Sequence, residues 1–116
     1  MILTASALTI AAAFSGAAFY INAVEQPARI SLDDRALLTE WKPAYARGTA
    51  MQASLAIVGF ALGLAAWRFE HEPLAAIGAI LILLPWPITL VLINPTNTRL
   101  KHTPESEANA ETRALI

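Results

Sequence analysis

Three long segments of the 116-residue chain contain no charged side chain: residues 1–24, 48–67 and 73–98. An α-helix rises about 1.5 Å per residue and the hydrocarbon core of a bilayer is about 30 Å thick, so each segment is long enough to span a membrane. Because the bilayer core offers no water to unpaired backbone groups, spanning segments of this length must be helical. The sequence therefore predicts an all-α integral membrane protein.

Composition agrees with this class and excludes several kinds of site. Apolar residues make up 56% of the chain and charged residues 15%, against about 25% charged residues in soluble domains. The chain has no cysteine, and its two histidines, His71 and His102, lie in different polar segments. Because metal sites gather several ligands, we expect no metal centre. We predict a single membrane domain over residues 1–116.

Hydropathy and polar boundaries place the elements along the chain. We place the three transmembrane helices at about residues 2–24, 49–68 and 73–94. A short interfacial helix is expected at about residues 32–42, and a polar tail with a short C-terminal helix at 99–116. No second domain is expected.

The segment between the first two spans has the pattern of an amphipathic helix at a membrane surface. Ser31 followed by Asp34 resembles an N-terminal capping box. Beyond it, apolar and aromatic side chains recur on one helical face. These side chains are Leu37, Leu38, Trp41 and Tyr45. We expect Pro43 to end or bend this helix before the second span.

Prolines also interrupt the third span. Because Pro85 and Pro87 have no N–H, a continuous helix would lose two hydrogen bonds there, and we expect a kink or local unwinding near Trp86. The bend either only shapes the bundle or widens a pocket beside it. Beyond the span, Thr103 and Pro104 suit the first positions of the C-terminal helix.

Lysine and arginine are unevenly distributed. Residues 25–47 contain four of them and the tail three, whereas Arg68 is alone on the opposite side. By the positive-inside rule, the loop and the tail are cytoplasmic and the N-terminus lies outside. No basic residue precedes Arg29, and the first apolar run is too long for a signal peptide, so we expect a retained span. We predict a multi-pass protein of the bacterial inner membrane, surrounded by membrane lipids.

Small residues recur along the first two spans and let helix backbones approach closely. Gly59 and Gly63 form a GxxxG pair in the second span. Such seams favour either a homodimer or, as we expect, packing within one bundle. With a pI near 6.1 and no basic aromatic patch, no nucleic-acid partner is expected.

Polar side chains gather at the predicted cytoplasmic ends of all three spans. They are Asn22, Glu25 and Gln26 on the first span, Tyr45, Arg47 and Gln52 on the second, and Asn94, Thr96 and Asn97 on the third. Together they could hold the polar edge of an apolar ligand and move a proton. The alternative is that they are ordinary helix-end residues, with Arg47 reaching lipid head groups and Glu25 pairing with Arg29.

Three motifs stand in a characteristic order. Residues 19–56 contain YIN…E-x-PAR and W-x-P-x-Y-x-RG…MQ, and residues 86–100 contain WP-x-T…PTN-x-x-L. In these motifs the chain resembles the anthrone-oxygenase-like family of small bacterial and fungal membrane proteins. The resemblance implies a compact four-helix bundle, here incomplete because the usual fourth span is missing from the sequence. The matching positions are Glu25, Arg29, Trp41, Tyr45, Arg47, Gln52, Asn94, Thr96 and Asn97.

A few members of that family are associated with oxidation of anthrones to anthraquinones by dioxygen, without a bound metal or flavin. The resemblance therefore implies a cofactor-independent oxygenase for an aromatic, polyketide-like or other lipophilic small molecule. Glu25 would be the catalytic base, and Arg47 together with Asn94 or Asn97 would stabilise the negative charge of the enolate. The expected ligand-binding residues are Asn22, Trp41, Tyr45, Gln52, Trp86, Asn94 and Asn97.

Two other functions fit the same sequence. A short apolar chain with small-residue seams is also typical of an accessory or structural subunit in a larger membrane complex, or of a homo-oligomer. A quinone- or lipid-binding module without catalysis is the third possibility, with the amphipathic segment and the proline bend beside its entrance.

Overall fold

The computed structural model describes residues 1–116 as four α-helices and no strand. Helix α1 spans Ile2–Ile30, α2 spans Asp34–Glu70 and α3 spans Pro73–His102. A short helix α4, Ala110–Leu115, follows in the tail. The first three helices are each long and apolar enough to cross a membrane. The prediction of an all-α membrane protein with three spanning helices and a short C-terminal helix is confirmed.

Large apolar side chains cover the outside of these helices. Leu90, Val91 and Leu92 in α3 are each more than 60% exposed, and Leu8 in α1 is 70% exposed. An apolar surface of this extent is unfavourable in water, whereas lipid chains cover it at no such penalty. The exposed surface therefore agrees with a bilayer as the solvent of the three long helices.

Helix α1 continues past the predicted end of the first span, through a π-helical turn at Ile21–Glu25. Ser31, which the sequence suggested as the cap of the next helix, belongs instead to the end of α1 and donates to the carbonyl of Ala28 at 2.6 Å. The cap of α2 is Asp33, whose Oδ1 accepts the N–H of Ala36 at 2.8 Å. The predicted capping box is therefore wrong by two residues, because α1 is longer than its apolar segment.

The predicted amphipathic segment is helical, but it forms the first turns of α2 rather than a helix of its own. Pro43 lies inside α2 and does not end it. A proline at this position deprives the carbonyl of Thr39 of its usual donor. Thr39 is exposed, so its carbonyl is not enclosed in the core, while Leu38 is fully buried in a cluster against which the tail packs.

The third span is distorted where its prolines predict. A turn at Leu84 separates Pro73–Leu83 from Pro85–Ile88, and a π-helical turn at Thr89–Ile93 follows. The carbonyl of Leu81, which cannot bond to Pro85, accepts the N–H of Leu84 at 3.3 Å instead. The local unwinding near Trp86 is confirmed.

Helix α2 is the centre of the bundle and packs against α1 on one side and α3 on the other. Gly63 lies at the contact with α3. A Cβ atom at Gly63 would lie 2.8 Å from the Cβ of Ala79 and 2.9 Å from the carbonyl oxygen of Ala75. Gly59 is also buried, against Ile82. The GxxxG pair is thus used for packing within one chain, as the sequence favoured.

The tail does not begin its helix at Pro104, and that prediction is wrong. Thr103 donates its hydroxyl to the carbonyl of Arg99 at the end of α3 and does not cap a new helix. After a short 3₁₀ turn at Glu105–Glu107, α4 is capped by Asn109, whose Oδ1 accepts the N–H of Thr112 at 3.0 Å. The helix start moves because Asn109, six residues later, offers the better cap.

The tail folds back on the turn between α1 and α2. Arg113 places Nε 2.6 Å from Oδ1 of Asp34 and donates to the carbonyls of Ile30 and Leu32. Lys42 of α2 donates to the carbonyl of Thr103 at 2.6 Å. These contacts bring the loop and the tail to the same end of the bundle, as predicted from the number of spans.

A small apolar core lies beneath the tail. It consists of Leu38, Trp41 and Leu100, with Leu115 and Ile116 packed against it. At the opposite end of the bundle, Glu70 at the end of α2 accepts the backbone N–H groups of Leu3 and Thr4, each at 2.9 Å. Each end of the bundle is therefore tied by its own set of contacts.

Candidate functional site

A cavity of about 780 Å³ opens between α1, α2 and α3 in the half of the bundle nearer the tail. The contacts between α1 and α3 come from the Pro73–Leu83 segment, so the remaining parts of these two helices stand apart. Helix α2 forms the back wall of the space between them. The volume of the cavity is within the range of about 300–1,000 Å³ that is usual for small-molecule sites.

Most of the predicted site residues line this cavity. They are Glu25, Trp41, Tyr45, Arg47, Gln52, Trp86 and Asn97. Asn22 and Asn94 are not among the lining residues. The amide of Asn22 is exposed and donates to the carbonyl of Ala18 at 2.8 Å on its own helix. Asn94 follows directly after the π-helical turn of α3, where the wider turn shifts the side-chain register.

Arg29 also lines the cavity, although the sequence did not single it out as a site residue. It is 9% exposed. Its Nη2 donates to Oε1 of Glu25 at 2.6 Å, and its Nη1 donates to Oε1 of Gln26 at 3.1 Å. Its Nε lies 2.6 Å from Oε2 of Glu40 on α2. That N–H is not directed at the oxygen, so the contact is an ion pair without a hydrogen bond.

Arg29 therefore joins the charged residues of α1 to those of α2. The spacing of Glu25 and Arg29 predicts their ion pair, since residues four apart share a helix face. The burial of Arg29 and its contact with Glu40 depend on how α1 packs against α2, and no local pattern encodes that packing. This is why the sequence, although its motif includes Arg29, did not predict that this side chain is buried.

Glu25 has one occupied and one free carboxylate oxygen. Oε1 is held by Arg29, whereas Oε2 has no ion-pair or hydrogen-bond partner, and the side chain is 29% exposed. Arg47, on the α2 side of the same cavity, is exposed and has no carboxylate partner. A fixed carboxylate with a free oxygen and a free guanidinium thus share one apolar cavity.

Aromatic rings form part of the wall. Trp41 and Tyr45 stack with ring centroids 4.8 Å apart and an interplanar angle of 14°. The ammonium group of Lys101 lies 4.8 Å from the centroid of Tyr45, which is the geometry of a cation–π contact. Tail residues pack against the cluster that contains Trp41. The aromatic stack therefore contacts the tail on one side and lines the cavity on the other.

Several other lining residues were not predicted: Phe14, Tyr20, Thr89 and Leu90. Phe14 and Tyr20 belong to a long apolar segment in which nothing distinguishes a residue that faces a cavity from one that faces lipid. Gln52 of α2 connects that helix to α1, since its Nε2 donates to the carbonyl of Phe14 at 3.1 Å. Among the His, Asp and Glu side chains, no group of three or more could hold a metal ion.

These observations define a helical membrane protein with a largely apolar cavity whose polar groups gather towards one end of the bundle. The family model described as anthrone oxygenase matches residues 41–116, which is more than half of the chain. The protein belongs to this family. The match begins at Trp41, so it includes Arg47 and Asn97 but not Glu25 or Arg29. Neither a curated protein nor a solved structure matches the chain.

Proposed function

We propose that the protein is a membrane oxygenase that oxidises anthrone-type ketones to quinones with dioxygen, without a cofactor. The observation that carries the proposal is the shared cavity of Glu25 and Arg47. The carboxylate of Glu25 has one oxygen fixed by Arg29 and the other free, and Arg47 has no competing carboxylate. Membership of the anthrone oxygenase family supports the reaction class.

The reaction needs a base and a site that stabilises a delocalised anion. Glu25 Oε2 removes a proton from the methylene carbon opposite the ketone, and the electron pair of that C–H bond forms the enolate. The enolate carbon then forms a bond to dioxygen, which is reduced to a peroxide and protonated. Loss of the second methylene proton breaks the O–O bond, so that the carbon becomes a carbonyl and water leaves. One ketone and one dioxygen give one quinone and one water.

The surrounding residues suit this sequence of steps. Arg47 stabilises the negative charge that develops on the ketone oxygen. The stacked Trp41 and Tyr45 offer a flat surface for a planar ring system. Dioxygen is apolar and favours the apolar cavity over water.

The direct test is turnover by the purified protein. Protein in detergent is incubated with anthrone under oxygen, and anthraquinone formation and oxygen consumption are followed together. We expect turnover well above the spontaneous rate, with one oxygen consumed per quinone. Glu25→Gln should lower the enzymatic rate by about 100-fold or more, which is the usual size of a general-base contribution.

Glu107→Gln is the matched control. Glu107 is exposed in the 3₁₀ turn of the tail, has no ion pair and does not line the cavity. Its variant should keep the wild-type rate. The proposal is wrong if the wild-type protein is no faster than spontaneous oxidation, or if Glu25→Gln and Glu107→Gln behave alike.

One observation favours a second function. Glu25 is already paired with Arg29, and the cavity walls are mostly apolar, which also suits a quinone- or lipid-binding module without catalysis. A lipophilic molecule that co-purifies with the protein, together with no turnover of anthrone, would support this alternative. An accessory subunit would instead purify from native membranes in a stable complex with unrelated chains.

A further inference from the structure

Arg29 is a buried cation held between two helices. It is 9% exposed, and each of its three guanidinium nitrogens faces an oxygen of another side chain. Nη2 donates to Oε1 of Glu25 and Nη1 donates to Oε1 of Gln26, both on α1. Nε lies 2.6 Å from Oε2 of Glu40 on α2. Because a guanidinium group stays charged, its burial needs a carboxylate partner, and this cluster supplies two.

The two carboxylates hold Arg29 in different ways. Glu25 combines an ion pair with a hydrogen bond, whereas the contact to Glu40 is an ion pair only. Oε2 of Glu40 and Nε of Arg29 are both enclosed by the protein, and neither has a hydrogen-bond partner. Their separation is already that of a hydrogen bond, so only the direction of the N–H has to change. Glu40 is therefore placed to hold Arg29 more firmly when Glu25 releases it.

Such a release follows from the chemistry proposed for Glu25. When Oε2 of Glu25 takes a proton from the substrate, the carboxylate becomes neutral and no longer compensates the charge of Arg29. A buried charge without a partner is strongly unfavourable. With Glu25 as the only carboxylate, proton transfer would carry this cost. Glu40 removes it, because the guanidinium group then keeps a negative partner throughout.

We propose that Glu40 is a positioning residue that keeps Arg29 in place and its charge compensated while Glu25 is protonated. Glu40 does not line the cavity, so it acts through Arg29 and not on a ligand. The proposal rests on the proposed function for the role of Glu25 as a base. The sharing of Arg29 by two carboxylates does not depend on that function.

The first test is a double-mutant cycle that needs no turnover. Glu25→Gln imitates the neutral carboxyl group, and Glu40→Gln removes the other negative charge. We expect each single variant to fold, because one carboxylate still faces Arg29. The double variant leaves Arg29 buried without any carboxylate, so its Tm should fall by about 5 °C or more beyond the sum of the two single shifts. Unfolding in detergent, followed by circular dichroism, gives these values.

Two further variants show whether the coupling comes from the charge of Arg29. Arg29→Gln, added to the double variant, removes the uncompensated cation and should raise the Tm again. Glu25→Gln combined with Glu107→Gln should give additive shifts, because Glu107 is exposed and has no ion pair. A double variant that does not fold, beside two folded single variants, supports the coupling if Arg29→Gln restores folding and contradicts it otherwise.

The second test separates positioning from a purely structural role. In the folded Glu40→Gln protein, we expect kcat for anthrone oxidation to fall about tenfold or more, with KM within about twofold of the wild type, because Glu40 touches no ligand. Glu40→Asp, which keeps the negative charge, should recover part of kcat. Glu107→Gln should leave both constants unchanged.

The proposal is overturned if the shifts of Glu25→Gln and Glu40→Gln are additive, if either single variant fails to fold, or if Arg29→Gln does not restore the double variant. It is also overturned if Glu40→Gln and Glu107→Gln give the same kcat. Coupling without oxidation of anthrone would reject the oxygenase and leave Arg29 as a shared counter-ion. Oxidation without coupling would reject the role of Glu40 and keep the oxygenase, so the two proposals fail separately.

Discussion

Gly63 shows how a single position controls the distance between two helices. Its missing side chain lets α2 approach Ala75 and Ala79 of α3, and one of the atoms in the way is a backbone oxygen that cannot rotate aside. Gly78 lies on α3 with no atom within 4 Å of the place where its Cβ would be. The close packing of α2 and α3 therefore needs a glycine at position 63, whereas position 78 has room for a side chain.

We expect Gly63→Ala to destabilise the protein by about 1–3 kcal/mol, because overpacking forces the two helices apart. Gly78→Ala should instead be neutral or stabilise by up to about 1 kcal/mol, since alanine is the better helix former. Unfolding in detergent, followed by circular dichroism, measures both. Equal stability of the two variants would contradict the close approach at Gly63.

At the scale of single residues, the sequence predicted what local spacing determines. It identified Glu25, Arg47 and Asn97 from their position at the ends of apolar segments, and all three line the cavity. It missed the burial of Arg29, because that depends on Glu40, a residue of another helix. Asn94 does not line the cavity, and the π-helical turn directly before it is not visible in the pattern of residues.

At the scale of the elements, the tail behaves as part of the bundle rather than as a loose end. Arg113 supplies hydrogen bonds to two carbonyls of the α1–α2 turn and an ion pair to Asp34. Arg99 also anchors the tail, through Glu111, but both partners of that pair are more than 60% exposed. Exposed ion pairs contribute little, whereas charged hydrogen bonds to otherwise unpaired carbonyls contribute more.

Arg113→Ala should therefore release the tail, and Arg99→Ala should not. We expect amide hydrogen exchange in Ala110–Leu115 to become about tenfold faster or more in Arg113→Ala, given about 1.5–3 kcal/mol for hydrogen bonds to charged groups. The exchange rates of the Arg99→Ala protein should stay within about threefold of the wild type. Hydrogen exchange with mass spectrometry measures both variants. Equal acceleration in the two would contradict the role of Arg113 in holding the tail.

The sequence determined the existence of the helices better than their ends. Apolar length was sufficient to predict the three spans, and the two prolines were sufficient to predict the unwinding near Trp86. The passage of α2 through Pro43 was not predictable, because the segment before Pro43 packs through Leu38 against a tail far away in sequence. The cap at Asn109 was missed for a similar reason, since Thr103 looked equally suitable until its hydroxyl was seen bonding to α3.

At the scale of the whole molecule, the contacts place the loop and the tail at one end and Glu70 at the other. We propose that the end with the tail is cytoplasmic, as the distribution of basic residues predicts. The absence of native cysteine makes this testable with single substitutions. Ser106→Cys and Thr39→Cys should be labelled only from the cytoplasmic side by an impermeant maleimide, and Glu72→Cys only from the outside.

All three positions are exposed, so access does not bias the comparison. Labelling of Ser106→Cys and Glu72→Cys from the same side would contradict the three-span arrangement. Labelling of every site from the reverse side would keep the fold and reverse the orientation.

The continuity of α2 has a mechanical consequence. Its 37 residues make a rod of about 55 Å, well beyond the thickness of a hydrocarbon core of about 30 Å. No loop separates its surface segment from its span, and Pro43 is its one internal proline. A tilt of α2 in a thinner or thicker bilayer therefore moves both the aromatic stack near one end and the Glu70 contacts at the other. Because the stacked Trp41 and Tyr45 line the cavity, the length of the lipid chains affects the shape of the cavity.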